Sequence, residues 1–207
     1  MQSKLIQRCV LTFLAALIAG CVPSWNALFT EKDLVFDAKL VGTWNGDEGE
    51  VWTFAREGEK KYKLTYSDKE GKATFDANLV KLQDRQFLDV QIDSAGYEGL
   101  KLNALAKITM LPAHLFFRVD EIGDVVKLAA PNPEWLGKHL ENNPKAVAHL
   151  RKEEGLLLLT ADTKELQAFV VKHAAGEAFF GDAFALKRKY VKATSRSGND
   201  MVSESRI

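Results

Sequence analysis

From Leu40 onward apolar and polar side chains alternate, and the alternation breaks at regular intervals. The segments LVGTWNG, EVWTFAR, KKYKLTYSD, ATFDANLVKL and QFLDVQI are separated by Asp47-Glu48-Gly49, Glu57-Gly58, residues 68–71 and Gln83-Asp84-Arg85. A period of two sends alternate side chains to opposite faces of a strand. Turns about every 8–12 residues keep consecutive strands adjacent, so the pattern predicts an antiparallel meander. In the third segment Tyr62, Leu64 and Tyr66 share one face while Lys61, Lys63 and Thr65 share the other, as in a strand with one face on a core and one in water.

The second half of the chain mixes periods. Residues 93–107 read as a loop with a short helix, and TMLPAHLFFRVDEIGDVVKLAA reads as a hairpin turning at Ile122-Gly123-Asp124. Asn132-Pro133 predicts a helix start, because Asn caps the free amides and Pro has no N–H to leave unpaired in the first turn. A second helix is expected over 144–152. The apolar run over 155–160 predicts a strand covered on both faces. Asp162 with Glu165 resembles a capping box for a helix through Ala174, with Leu166, Phe169 and Val170 inward. Residues 182–190 predict a closing strand, and the polar tail beyond Val191 is expected to be disordered. The fold class is α+β, mainly antiparallel β: a curved meander sheet or small barrel with two or three helices inserted before the last strand.

The N-terminus follows a different rule. Lys4 and Arg8 precede an almost wholly apolar run that ends in the small residues Ala19 and Gly20 and then Cys21. A charged start, an apolar middle and a small-residue cleavage site describe a secretory signal. Ile18-Ala19-Gly20-Cys21 resembles the lipobox of bacterial lipoprotein precursors. The resemblance implies a diacylglyceryl (palmitate-type) group on the Cys21 sulfur, cleavage before Cys21, and acylation of the new amino terminus. Pro23, Ser24 and Asn26 interrupt the second half of the uncharged stretch, leaving it short of the roughly 20 apolar residues a membrane span needs. Val22 is not the Asp that marks inner-membrane retention in enterobacterial lipoproteins, so the expected location is the outer membrane, facing the periplasm. The expected organisation is a signal peptide over 1–20, a lipidated tether and lead-in over 21–39, one β-rich domain over 40–191, and a tail over 192–207.

A second resemblance concerns the domain. Residues 36–44, FDAKLVGTW, resemble the opening of lipocalin-like barrels, in which Gly-x-Trp on the first strand closes the barrel floor. That implies structural roles for Gly42 and Trp44, with Arg188 packing on the indole from the last strand. The family's Thr-Asp-Tyr motif is not found mid-chain, and helices precede the last strand, both departures from the pattern.

Composition narrows function mainly by exclusion. The sequence has 28 basic and 28 acidic residues, and losing Lys4 and Arg8 leaves the mature chain slightly acidic. A phosphate-binding face needs concentrated positive charge, so nucleic acid is not an expected partner. The lipid would carry the membrane attachment, at about 0.8 kcal/mol per buried CH₂. With Cys9 removed and Cys21 alkylated, the exported domain holds neither thiol nor disulfide. There is no Gly-x-Ser-x-Gly, Gly-rich phosphate loop or His-Glu-x-x-His, so neither cofactor nor metal is expected. His114, His139, His149 and His173 are dispersed, with His139 and His149 as a candidate helical pair. The acidic groups Asp47, Glu48, Glu50 and Asp120, Glu121, Asp124 fall in turns.

On residues 113–121 the alternation leaves His114, Phe116, Arg118 and Asp120 opposite Leu115, Phe117 and Val119. His114 and Arg118 are the candidate ligand-binding residues, able to orient an anionic or amphiphilic ligand. The alternative is a face covered by the later helices, with Arg118 paired to Asp120 or Glu98 and Phe116 beneath a helix. The leading functional expectation is a non-catalytic, lipid-anchored envelope protein binding a small apolar or amphiphilic ligand or another envelope component. The alternative is a hydrolase using a carboxylate pair. An apolar barrel interior would favour the first, and two buried carboxylates facing each other in a cleft the second.

Overall fold

The computed structural model describes residues 22–100, 102, 110, 112–151, 157–176 and 178–189. The lipobox, Cys21 and the polar tail lie outside the described residues. In chain order the strands are β1 (Leu34–Val35), β2 (Gly42–Asn45), β3 (Val51–Glu57), β4 (Lys61–Ser67), β5 (Lys72–Leu82), β6 (Arg85–Ile92), β7 (His114–Ile122), β8 (Val125–Ala129), β9 (His149–Arg151), β10 (Leu157–Leu159) and β11 (Phe184–Arg188). Eight of them, β2 to β8 and β11, form a closed antiparallel barrel. Their order is β5-β4-β3-β2-β11-β8-β7-β6, and β5 pairing with β6 closes the ring. This is a small lipocalin-like α+β barrel.

The meander folds as its alternation dictates. Trp44, Phe54, Tyr62, Leu64, Ala77, Leu79, Leu88, Val90, Phe117, Val126, Leu128 and Leu186 form one buried cluster to which every barrel strand contributes. In β7 a register shift between Val119 and Glu121 inserts an extra residue, so that Val119 and Ile122, three positions apart, both pack on this interior cluster. Closure leaves the barrel with no long unpaired edge.

A second core lies outside the barrel wall. Val80, Leu82, Phe87, Phe116 and Ala129 leave the outer face of β5 to β8 and meet Leu136 and Leu140 of helix α2 (Pro133–Asn142) and Leu166, Phe169, Val170 and Ala174 of helix α3 (Thr163–Ala174). The short helix α1 (Ser94–Gly99) follows β6. The wall β5 to β7 is thus covered on both sides, and Phe87, Leu88, Asp89 and Val90 are consecutive buried residues. Asn132 Oδ1 accepts from the Glu134 and Trp135 amides at 3.0 Å each and starts α2, with Pro133 in its first turn.

Three local expectations are corrected. Residues 144–151 of the helix expected over 144–152 are not helical: they run through a turn into β9, which pairs with β10, and residue 152 lies outside the described residues. Ala148 supplies the reason, since its amide donates to Glu165 Oε1 at 2.9 Å and its carbonyl accepts from the Thr160 and Ala161 amides. These distant partners replace the local bonds of a helix too short to nucleate unaided. The same Glu165 therefore does not complete a capping box, although Asp162 Oδ1 does accept from the Glu165 amide at 2.8 Å. Residues 22–39 are not a tether either. Val22 is 2% exposed, and Ser24, Leu28 and Leu34 are equally buried in the outer core or beside it. The lead-in contains two 3₁₀ turns, Glu31–Asp33 capped by Thr30 and Ala38–Leu40 capped by Asp37.

Candidate functional site: the two ends of the barrel

One end of the barrel is sealed. Trp44 is fully buried, and its indole N–H donates to the Leu40 carbonyl at 2.9 Å. Arg188, opposite Trp44 in the β2–β11 register, places its guanidinium carbon 4.1 Å from the indole centroid and donates to the Val41 and Lys39 carbonyls. Gly42 is what makes room: its φ of +140° disfavours a side chain, and a Cβ there would lie 2.7 Å from Arg188 Nη1. Beside them the Tyr62 hydroxyl accepts from the Asp37 amide at 2.6 Å and donates to the Asp37 carbonyl at 3.0 Å. Burial pushes the Tyr62 phenol up to about 12. Phe36 stacks on Tyr62 at 5.0 Å, under the Arg56 guanidinium.

The other end is aromatic, and most of its rings are only partly covered. Trp52 lies 5.2 Å from Tyr66, 6.1 Å from Phe117 and 6.2 Å from Phe184, and Phe117 lies 6.0 Å from Phe184. Trp52, Tyr66, Phe75 and Leu115 are half-buried, and Phe184 is 37% exposed. Rings at such spacings in offset or edge-on geometry form a preorganised apolar lining. Within this lining burial, and then the Asp68 carboxylate, push the Tyr66 hydroxyl up to about 12.

His114 and Arg118 point away from this interior. Register and burial place Leu115 and Phe117 inside and His114, Phe116 and Arg118 on the outer face of β7. His114 Nδ1 lies 2.7 Å from Asp89 Oδ1, and Asp89 Oδ2 accepts from the Leu28 amide at 2.9 Å. Arg118 makes a two-pronged bond to Asp120 at 2.6 and 3.0 Å, with its guanidinium 5.2 Å from the Phe180 centroid. Phe116 is buried in the outer core between them. His114 and Arg118 thus lie on the outer face of β7, each held by its own carboxylate. Arg118 does border a polar surface groove of about 420 Å³ with Lys81, Asp84, Arg85 and Gln86.

Other constellations sort themselves by environment. Ser24, His114 and Asp89 converge, but Ser24 is fully buried and its hydroxyl donates to the Asn26 carbonyl at 2.8 Å. A nucleophile must instead reach its base and a substrate. Their role is to dock residues 22–28 onto β7. The buried Asp93 is matched by other groups: burial raises it, but Thr74 Oγ1, Lys63 Nζ and the Gly96 amide hold it below the usual carboxylate range. Asp89 and Asp93, the buried acids among the described residues, therefore each answer to their own partners. The acidic turns are surface-paired, Asp47 with Lys187 and Glu121 with Lys127, each at 2.7 Å.

The histidine pairing differs from expectation. His139 faces His173, not His149, with ring centroids 4.9 Å apart beside Trp135, Phe169 and Phe179. The signal was present as Trp135/His139 and Phe169/His173, each one helical turn apart on helices that proved to be neighbours. Burial first, then His139 and Lys172, lower the His173 pKa. Among the described residues no three His, Cys, Asp or Glu side chains gather as a metal site. No described helix is long and apolar enough to cross a membrane. No family model, curated protein or solved structure matches the chain.

Proposed function

We propose that this is a lipid-anchored, exported envelope protein whose barrel binds a small apolar or amphiphilic ligand at its aromatic end. The observation that carries the reading is the asymmetry of the barrel. Trp44, Arg188 and Tyr62 close one end with satisfied polar atoms, while at the other the described residues Trp52, Tyr66 and Phe184 keep part of their apolar surface exposed, above the buried Phe117. Between them the interior cluster is built from aliphatic and aromatic side chains. Such a lining favours partition of a chain or ring from water. The lipobox motif gives the anchor, with Cys21 as its attachment point, and Val22 in place of Asp supports the outer membrane as its location.

Titration with a fluorescent fatty-acid analogue tests the binding reading. Saturable binding is expected, and Trp52→Ala or Phe184→Ala should each weaken it by about tenfold or more, since a buried aromatic contributes roughly 1.5–3 kcal/mol. A titration that never saturates, or one indifferent to both substitutions, overturns the proposal.

A further inference from the structure

The barrel wall is extended sideways at the start of β7. Ser24 pairs with His114 on one side, through amide–carbonyl bonds of 2.9 and 2.8 Å, and with Leu159 of β10 on the other. On the far side of β10, β9 sets Leu150 opposite Leu158. Paired residues share a face of a sheet and successive residues alternate. Ser24 and Leu159 are fully buried on the face that His114 shares. Pro23, Trp25, Leu158 and Leu150 consequently lie on the opposite face, the face that carries Leu115 into the aromatic end of the barrel. Trp25 is 48% exposed and Leu150 61% exposed, with Leu158 half-buried between them. An apolar strip thus runs from the barrel mouth outward to β9.

Exposed large apolar groups arranged as one strip, unlike scattered ones, mark a contact surface. The position of this strip in the chain selects what covers it. Cys21 directly precedes Val22, which is held in the outer core, and Trp25 follows four residues after Cys21. A residue spans at most about 3.6 Å of chain, so acyl groups on Cys21 enter a bilayer with no slack to hold the domain away from it. Tryptophan also prefers the membrane–water interface, where its ring is in the apolar region and its N–H is wet. We infer that the strip formed by Trp25, Leu158 and Leu150 rests on the lipid bilayer, so that the aromatic end of the barrel opens at the membrane surface. The inference rests on the reading of Cys21 as the lipid attachment point. It implies that the ligand is exchanged with the bilayer and need not cross water.

The test uses the full-length lipidated protein, purified from bacterial membranes and reconstituted in phosphatidylethanolamine–phosphatidylglycerol vesicles with plain or brominated acyl chains. Bromine quenches indoles at short range. The mass of the N-terminal peptide is measured first: an unacylated chain overturns the anchor and the docking together, whereas an acylated one leaves the docking to stand or fall by fluorescence. Brominated lipid is expected to quench part of the wild-type emission, that part should be lost in Trp25→Phe, and Trp25→Phe/Leu150→Trp should regain it. Trp44, Trp52 and Trp135 are common to every sample, so the reading is the difference in quenching between the variants. Equal quenching of wild type and Trp25→Phe, or no quenching of the new indole at position 150, overturns the docking. A strip covered by a protein partner gives that same overturning result, because vesicles holding lipid alone leave Trp25 unquenched.

Discussion

Replacing Trp44 and Arg188 singly and together measures how the sealed end is built. Trp44→Ala removes a fully buried indole and its bond to the Leu40 carbonyl, so about 3–5 kcal/mol of stability should be lost, mostly as cavity and packing. Arg188→Ala removes a guanidinium 4.1 Å from the ring centroid and its bonds to two carbonyls. A cation over a ring is worth about 0.5–2 kcal/mol and a charged hydrogen bond about 1.5–3, but the Arg188 tip is partly solvated, so about 1–3 kcal/mol in total is expected. The two groups touch, and once the indole is gone the guanidinium has no ring to sit on. The double variant should therefore fall short of the summed losses by about 0.5–2 kcal/mol. Urea unfolding followed by far-ultraviolet circular dichroism provides the four free energies, with Arg188→Lys as a control that keeps the charge and loses the planar fork. Losses that add to within about 0.3 kcal/mol would refute the reasoning, since they would mean that the observed stacking carries no energy.

Asp89→Ala should cost about 2–4 kcal/mol, because it leaves the buried Leu28 amide and His114 Nδ1 without their acceptor, and hydrogen exchange at the Leu28 amide should accelerate more than at the barrel amides. Exchange that stays as slow at Leu28 as in the variant's barrel would contradict the docking role. His173 is held below its ordinary pKa in the fold, so the neutral ring is favoured there. Its stabilising contribution is complete above about pH 6.5, the unfolded value, and is lost as pH falls through the folded pKa. Thermal melts of His173→Leu should accordingly lose less stability than wild type between pH 7 and 5, and parallel curves would remove His173 as the source. Tyr62→Phe should cost about 1–2 kcal/mol by leaving the Asp37 amide and carbonyl unpaired, and calorimetric unfolding at pH 7 should report it.

The meander was legible because its strands have one face on the barrel interior and one in water. Tyr62, Leu64 and Tyr66 announce such a strand by period alone. The outer core was harder, because a wall covered on both sides loses its alternation: Phe87, Leu88, Asp89 and Val90 are all buried, two facing each way. The lone acid in that apolar strand was the signal available, since a carboxylate in such a setting needs dedicated partners. Those partners, the Leu28 amide and His114, come from distant segments that no local pattern connects. For the same reason residues 22–39 looked like a tether. They are held by backbone pairing of Ser24 and by a few anchors such as Leu28 and Leu34, neither of which generates a period. The turn and short strand over 144–151 failed as a predicted helix because Ala148 bonds to Glu165, Thr160 and Ala161, a choice made by tertiary structure.

The aromatic end and the N-terminal segment are joined through two adjacent residues. Leu115 faces the barrel interior at that end, and His114, one position earlier, bonds through its backbone to Ser24 and through its ring to Asp89. Asp89 in turn holds the Leu28 amide, so residues 22–28 are fixed to the same stretch of wall that lines the mouth. To swing the segment relative to the mouth, the paired amide bonds of Ser24 and His114 and the buried Asp89 contacts would have to break together. Each buried polar group left unpaired costs about 1–3 kcal/mol, so the fixed orientation is strongly favoured over a hinge. A lipid on Cys21 would then do more than retain the protein at a membrane: it would set the direction in which the barrel opens.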